Sequence, residues 1–345
     1  MPQRPQEPGT APTTRPALSV VVPVFDGARV LPRCLEALRA DAGADVEILV
    51  VDDASRDGSA GAAAHLAHRV IRLEHNAGPG PARNAGARAA RAEVLVFVDA
   101  DVAVRPGALA RLRQHLDAEP RCAAVFGSYD AEPVAPGLVS QYRNLLHHFV
   151  HQRAGVQASH FWAGLGAVRR DAFFAVGGFD EGSYARVVED IELGYRLRAA
   201  GHEIHLDKEV QGTHLKRWTL ASMLRTDLGV RAIPWTRLLL SRRALPSDFS
   251  LDAGSRWSVV AAWLAVACAA GAVWQPRLVL GALLALGALA ALNRELLGFL
   301  AARRGVGFAA AALLLHALYA FSNGVALLAG LVSWWITPDA ERGLP

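Results

Sequence analysis

Two aspartates separated by one residue carry the most informative chemistry in this sequence. Asp99 and Asp101 follow the apolar run 94–98, and in an extended backbone the side chains of residues two apart point to the same side. Carboxylates held that close repel each other unless a cation lies between them, and Mg²⁺ or Mn²⁺ bridging to a phosphate satisfies both. The spacing therefore predicts a divalent metal site at these two residues.

Two further acidic pairs stand at the boundaries of predicted elements. Asp52 and Asp53 follow an apolar run, and Glu189 and Asp190 open a stretch of helical period that ends at Gly201. Aspartate is favoured in turns, and acidic residues are favoured in the first turn of a helix. Each pair taken alone is therefore also compatible with a purely structural role.

The first part of the chain alternates short apolar runs with segments of helical period. The predicted strands are residues 18–22, 46–51, 70–73 and 94–98, and the predicted helices include 31–39, 59–68 and 82–91. Near-continuous apolar strands separated by helices indicate an α/β fold, a mostly parallel sheet covered by helices on both faces. Ligands of such sheets bind beyond the carboxyl ends of the strands, which is where both aspartate pairs fall.

The last part of the chain has the composition of a membrane region. The 345 residues are 52% hydrophobic with a mean hydropathy of +0.21, and the apolar excess lies after residue 256. Residues 257–274 and Val306–Ile336 are long apolar stretches. We predict about three transmembrane helices within 257–336, preceded by an amphipathic interfacial segment at 217–256.

The second of these three helices is the shortest. Leu278–Leu292 measures only about 22 Å as a helix, against the roughly 30 Å of a hydrocarbon core. It spans if the helix continues toward Leu300, with Arg294 and Glu295 at the interface.

The arginines predict the orientation of these helices. Arginines precede the first span, and three more lie in the loop 293–305. The turn between the first two spans carries only Arg277. The positive-inside rule then predicts a multi-pass protein of the cell membrane with its soluble domain in the cytoplasm. The flanking arginines are Arg237, Arg242, Arg243, Arg256, Arg294, Arg303 and Arg304.

Other features limit the remaining possibilities. Residues 1–16 contain five prolines and no apolar core, so they are predicted to be a disordered tail rather than a signal peptide. Cys34, Cys122 and Cys268 are far apart and match no metal-ligand or redox spacing. The net charge of +4 suits an anionic lipid or a nucleotide substrate, and no nucleic-acid-binding module is recognisable.

Four segments in a fixed order, 50–58, 76–86, 97–101 and 188–190, resemble the motifs of the family 2 glycosyltransferases. The resemblance covers roughly residues 17–216 and implies a GT-A fold. It also implies transfer of a sugar from a nucleotide diphosphate to an acceptor, with inversion of the anomeric centre and with Mg²⁺ or Mn²⁺ as cofactor. The predicted domains are then a tail (1–16), the GT-A domain (17–216), the interfacial segment (217–256), the membrane region (257–336) and a second tail (337–345).

The resemblance also assigns roles to residues. It implies that Asp53 contacts the base or ribose of the donor and that Arg83 contacts the base or the diphosphate. It also implies that His214 is a third metal ligand. Asp190, with Glu189 beside it, would be the base that deprotonates the acceptor hydroxyl. The donor side is predicted to comprise Pro23, Val24, Phe25, Asp52, Asp53, Arg83 and Asp99; the metal ligands Asp99, Asp101 and His214; and the acceptor side Trp162, Gly164, Arg217 and Trp218.

Residues 214–218 are similar to the Gln-x-x-Arg-Trp motif of processive polysaccharide synthases, but His214 replaces the glutamine. We therefore favour a membrane-anchored enzyme that adds a single sugar to a lipid-linked or membrane-proximal hydroxyl. The alternatives are a processive synthase, a polyprenyl-phosphate glycosyltransferase and an inactive protein that binds nucleotide sugars.

Overall fold

A computed structural model describes residues 15–182, 184, 186–242 and 253–336, and it divides the chain into two compact units. The first unit runs to Ser128 and resumes at Val156–Leu215; the second comprises Tyr129–Gly155 and the chain from Lys216 onward. The predicted domain 17–216 is therefore interrupted by a segment that belongs with the C-terminal helices. Both predicted tails lie largely or wholly outside the described residues, as do Arg243 and the rest of 243–252.

A mixed sheet forms the centre of the first unit. Its strands are β1 (Leu18–Val24), β2 (Val46–Asp52), β3 (Arg69–Arg72), β4 (Val94–Val98), β5 (Val102–Val104), β6 (Cys122–Tyr129), β7 (Leu165–Arg169) and β8 (Glu203–His214). Their order in the sheet is β3-β2-β1-β4-β7-β6-β8-β5. Strand β1 pairs in parallel with β2 and β4, β2 pairs in parallel with β3, and β7 pairs antiparallel with β4 and β6. The predicted α/β class is confirmed.

Burial explains why the sequence identified the parallel strands. Every residue of β2 and β4 is buried, so these strands, apart from Glu47 and Asp52 in β2, read as apolar runs. The helices of this unit are α1 (Leu31–Asp41), α2 (Ser59–Ala63), α3 (Pro79–Ala89), α4 (Ala108–Ala118), α6 (Arg170–Ala175) and α7 (Glu189–Ala199), and α5 (Leu138–Arg153) belongs to the second unit.

Two helices differ from their predicted bounds for identifiable reasons. The predicted helix 59–68 ends at Ala63, because His68 is already hydrogen-bonded through its backbone and ring to Ile48 on β2. Helix α3 begins at Pro79, before the predicted start at 82, since proline is suited to the first helical position, where its missing N–H costs nothing.

The second unit is helical. It contains α8 (Leu220–Leu224), a π-helical segment (Arg225–Arg231), α9 (Ala232–Arg242), α10 (Ala253–Gly271), α11 (Leu278–Leu292), α12 (Arg294–Arg304) and α13 (Val306–Ile336). Its core combines α5 with the C-terminal helices through Ala131, Tyr142, Leu145, Leu146, Met223, Leu296, Leu300, Ala309, Ala312 and Leu315.

A buried ion pair adds to this core. Arg143 on α5 donates to Asp227 at 2.8 Å, and its guanidinium lies over the rings of Trp218 and Tyr319 at 5.3 and 5.4 Å. The pair joins α5 to the segment before α10 and to α13.

The helix 278–292 does not continue toward Leu300. It ends at Leu292, and the chain bends by 78° into α12. Among the described residues, two helices, α10 and α13, are long and apolar enough to cross a membrane, and a third crossing exists only if the bent pair counts as one span. Asn293 lies at the bend and donates to the Leu289 carbonyl at 2.9 Å, an interaction that caps the end of α11.

Gly194 on α7 allows this helix to lie directly on the backbone before Trp162. A Cβ at Gly194 would be 2.3 Å from the Phe161 backbone nitrogen, and overpacking of this kind costs about 1–3 kcal/mol. We expect Gly194→Ala to lower the thermal midpoint of the purified protein in detergent by several degrees. Gly61→Ala in the exposed helix α2, where a Cβ meets nothing within 4 Å, is the control and should leave the midpoint unchanged or slightly higher. Equal midpoints for the two variants would contradict this account.

Candidate active site

The carboxyl end of β4 brings together the predicted metal ligands. Val102 in β5 pairs with His214 at the end of β8, and the Leu215 N–H donates to the Asp101 carbonyl at 2.8 Å. As a result His214 Nε2 lies 3.3 Å from Asp101 Oδ2. Asp99, two residues before Asp101, follows directly after β4.

Arg83 is the central buried cation of this site. Its guanidinium donates to Asp99 Oδ1 at 2.6 Å and to Glu189 Oε1 at 2.5 Å, and it packs over the Phe179 ring at 5.4 Å. The side chain of Arg83 is only 5% exposed. The fork geometry of arginine lets one side chain hold two carboxylates from distant parts of the sequence.

The electrostatics of this cluster favour a cation beside Asp99. Desolvation raises the pKa of the Asp99 carboxyl, Arg83 opposes that shift, and Asp101 adds to it by repulsion. Oxygen ligands from two carboxylates and an imidazole nitrogen suit Mg²⁺ or Mn²⁺. The residues present therefore fit the divalent metal that the sequence predicts.

Glu189 and Asp190 have different environments although they are adjacent. Glu189 is buried against Arg83, and burial raises the pKa of its carboxyl while the guanidinium opposes the shift. Asp190 is partly exposed, and its Oδ2 accepts from the Ala163 N–H at 3.2 Å. Of the two, Asp190 is the carboxylate available to a substrate.

The segment 161–164 is hydrogen-bonded to both Asp190 and Asp99. The Ala163 N–H reaches Asp190, and the next carbonyl, that of Gly164, accepts from the Asp99 N–H at 3.1 Å. A Cβ at Gly164 would lie 2.4 Å from the Trp162 ring. Only glycine therefore lets the indole of Trp162 lie against the backbone at this point.

Asp52 and Asp53, both predicted on the donor side, make different contacts. Both oxygens of Asp53 accept backbone N–H groups, from Ala77 at 2.8 Å and Gly78 at 2.9 Å, so Asp53 joins the end of β2 to the start of α3. Asp52 is fully buried and accepts from the Ser55 N–H at 2.9 Å. Its other oxygen lies 3.4 Å from Arg72 Nε, so both oxygens of Asp52 face protein groups at this turn.

The predicted donor-side residues Pro23, Val24 and Phe25 lie at the end of β1 and directly after it. The Val24 carbonyl accepts from the Asp53 N–H at 2.8 Å, Pro23 is partly buried, and the Phe25 ring is 50% exposed. Phe25 thus offers an aromatic face beside the end of β2. Arg217 and Trp218, predicted on the acceptor side, belong to the second unit. There Lys216 lies 4.2 Å from the Trp218 ring, and Arg217 is exposed.

Two residues at the site were not predicted to have a role. The Asn84 side chain accepts from the Phe179 N–H at 2.9 Å and donates to the Phe179 carbonyl at 2.8 Å, which fixes the ring under Arg83. Val188, directly before Glu189, has a φ of 56°, a conformation that is costly for a β-branched residue. Asn84 was visible within the 82–86 motif, whereas nothing in the sequence marks Val188.

The mixed sheet with its helices is a GT-A-like fold. Residues 19–176 match the model of glycosyl transferase family 2. A solved mannosyltransferase from Pyrobaculum calidifontis, in complex with GDP-Man and Mn²⁺, superposes with a TM-score of 0.54 at 21% identity, covering 94% of this chain and 91% of that one.

Two curated relatives share shorter regions. The succinoglycan biosynthesis protein ExoO of Rhizobium meliloti is 39% identical over 106 residues, 30% of each chain. Validoxylamine A glucosyltransferase of Streptomyces hygroscopicus subsp. jinggangensis is 28% identical over 233 residues, 57% of this chain and 55% of that protein. The chain therefore spans less than two thirds of the length of these relatives.

Arg83 should be essential for the stability of the site. Removing one partner of a buried ion pair leaves carboxylates without their cation, which costs about 3–5 kcal/mol. We expect Arg83→Gln to lower the thermal midpoint strongly and to abolish nucleotide binding measured by calorimetry. The control is Arg88→Gln on the same helix, whose exposed pair with Glu181 at 3.1 Å contributes about 0–1 kcal/mol. Similar midpoints for both variants would show that Arg83 does not hold the cluster together.

Proposed function

We propose that this protein is a membrane-anchored inverting glycosyltransferase that moves a single sugar from a nucleotide diphosphate to a hydroxyl acceptor. The observation that supports it most is the arrangement around Arg83, which holds Asp99 and Glu189 while leaving Asp190 partly exposed. Asp99 would then serve the donor side, and Asp190 would serve the acceptor side.

On the donor side, Asp99, Asp101 and His214 would hold Mg²⁺ or Mn²⁺. The metal, when bound, supplies positive charge that stabilises the diphosphate as a leaving group. Arg83 favours the ionised form of Asp99 and orients it through the 2.6 Å contact. Phe25 and Asp53 lie at the ends of neighbouring strands, where the nucleotide would bind.

On the acceptor side, Asp190 acts as the general base. A sugar or glycerol hydroxyl has a pKa far above 7 and must lose its proton as it attacks, whereas a phosphate acceptor is already an anion. Asp190 takes that proton on the face opposite the diphosphate, so that a single displacement inverts the anomeric carbon. A base at this position favours a hydroxyl acceptor over polyprenyl phosphate.

The alternative functions are less well supported. Two or three candidate spans offer little for a polymer channel, and His214 replaces the glutamine of the processive motif. An inactive binding protein would have no use for both a carboxylate cluster and a partly exposed base. The apolar helices and the arginine distribution support a membrane acceptor, a lipid or a lipid-linked sugar, and a catalytic domain on the cytoplasmic side of the cell membrane.

Metal dependence is the first test. Asp101→Asn should reduce transfer at least about 100-fold, because a bound metal contributes several kcal/mol to the transition state, and excess EDTA should do the same to the parent. Transfer is measured with a panel of nucleotide sugars and native lipid extract, with products identified by mass spectrometry. Asp117→Asn is the control, since Asp117 pairs with Arg113 on an exposed face of α4. Full turnover in excess EDTA would refute the metal role.

The base is tested separately. Asp190→Asn should lower transfer to a hydroxyl acceptor by at least about 10²-fold while nucleotide binding survives. Asp171→Asn, an exposed acid at the start of α6, should have the activity of the parent. If Asp190→Asn transfers sugar to polyprenyl phosphate nearly as fast as the parent does, the hydroxyl acceptor is the wrong assignment.

The orientation is tested with reporter fusions. A reporter inserted near Gly305 should read as cytoplasmic because the loop between the second and third spans is rich in arginine. With three crossings, a reporter fused after residue 345 should read as extracytoplasmic. A cytoplasmic reading there would mean that the bent pair α11–α12 does not cross the membrane.

A further inference from the structure

A second cluster of titratable residues lies at the other end of β8 from His214. His205 is near the start of this strand, nine residues from His214, which corresponds to about 30 Å along an extended strand. It faces His115 on α4 and Cys122 at the start of β6. These three residues are outside the donor and acceptor sites.

The two imidazoles of this cluster face each other. His115 Nε2 lies 3.0 Å from His205 Nδ1. The outer nitrogen of each ring faces a carboxylate: His115 Nδ1 lies 3.1 Å from Asp207 Oδ2, and His205 Nε2 lies 3.4 Å from Glu203 Oε2.

The two carboxylates favour an arrangement in which the inner nitrogens can bind a metal ion. An ionised carboxylate only accepts hydrogen bonds, and a neutral imidazole has one donor and one acceptor nitrogen. When each outer nitrogen donates to its carboxylate, both inner nitrogens are acceptors, 3.0 Å apart. A metal ion bound by both would use these two lone pairs.

Cys122 supplies a third ligand atom. Ligand atoms of His115, His205 and Cys122 all lie within 4.8 Å of one another, and Cys122 is fully buried. In the absence of a cation, burial raises the pKa of the Cys122 thiol to about 11, and Sγ donates to the Ala124 carbonyl at 3.0 Å. A metal ion would release that proton to solvent and bind the thiolate.

The surrounding residues orient these ligands as in known zinc sites. Metal-binding histidines commonly donate their other ring nitrogen to a carboxylate, and that carboxylate is itself hydrogen-bonded. Asp207 meets both conditions, because it also accepts from Arg111 at 2.9 Å and from the Glu209 N–H at 3.1 Å.

We propose that His115, His205 and Cys122 form a Zn²⁺ site that ties α4 to β6 and β8. One thiolate and two imidazoles are ligands that prefer zinc to magnesium or manganese, so this site differs in metal preference from the oxygen-rich cluster at Asp99 and Asp101. Three protein ligands leave the fourth tetrahedral position to water. The site lies about 30 Å along β8 from His214, remote from the proposed transfer reaction.

Cobalt substitution tests the proposal directly. The purified full chain, stripped of metal by a chelator and dialysed, is titrated with Co²⁺ and followed by absorption. A thiolate–cobalt charge-transfer band that saturates at one equivalent is the expected result, and added Zn²⁺ should abolish it. The band should be absent in Cys122→Ser and present in Cys268→Ser, where the cysteine lies in α10.

Two further variants separate this site from the donor site. Asp207→Asn should weaken Co²⁺ binding about 10–100-fold, the usual effect of losing the carboxylate behind a histidine ligand, with Asp117→Asn as the control. Asp101→Asn should leave the band unchanged although it removes a ligand of the donor-site metal.

If the folded wild-type chain, checked by circular dichroism, gives no thiolate band at neutral pH, there is no zinc site at these residues. A band that persists in Cys122→Ser would also overturn the assignment.

Discussion

The candidate active site depends on one buried cation. The guanidinium of Arg83 contacts Asp99 at the end of β4 and Glu189 at the start of α7, and the Phe179 ring supports it from below. Without it, two carboxylates and a helix N-terminus from separate parts of the chain would have no charge to hold them together. The cost of burying Arg83 is offset only because both partners are present.

The position of Asp190 follows from that constraint. Because Glu189 is held by Arg83, its neighbour is presented on the adjacent side of the first helical turn, where the Ala163 N–H orients it. Val188 accepts a left-handed conformation to bring the chain into α7 at this point. Gly194 then lets the helix lie directly on the backbone of 160–161. The strain at Val188 is therefore stabilised by an ion pair and by close packing on either side of it.

The two proposed metal sites lie at opposite ends of one strand. The end of β8 would contribute His214 to the oxygen-rich cluster at Asp99 and Asp101, and its start would contribute His205 to the proposed zinc site. An α/β sheet concentrates ligands at the carboxyl ends of its parallel strands. Because β8 is long, its first residues lie far from the cluster at its end.

The amino-acid sequence by itself predicted the parallel strands, both aspartate pairs, the Glu189–Asp190 pair and the apolar C-terminal region, because buried strands read as apolar runs and their polar ends contrast with them. It did not reveal that both oxygens of Asp52 face protein groups, that α11 ends at a 78° bend, or that Tyr129–Gly155 packs with the C-terminal helices. Cys122 had no metal-ligand spacing in sequence and acquires histidine neighbours only in space. The tertiary structure decided these features, since ion pairs, ligand clusters and helix breaks depend on contacts between residues far apart in the chain, which local pattern does not encode.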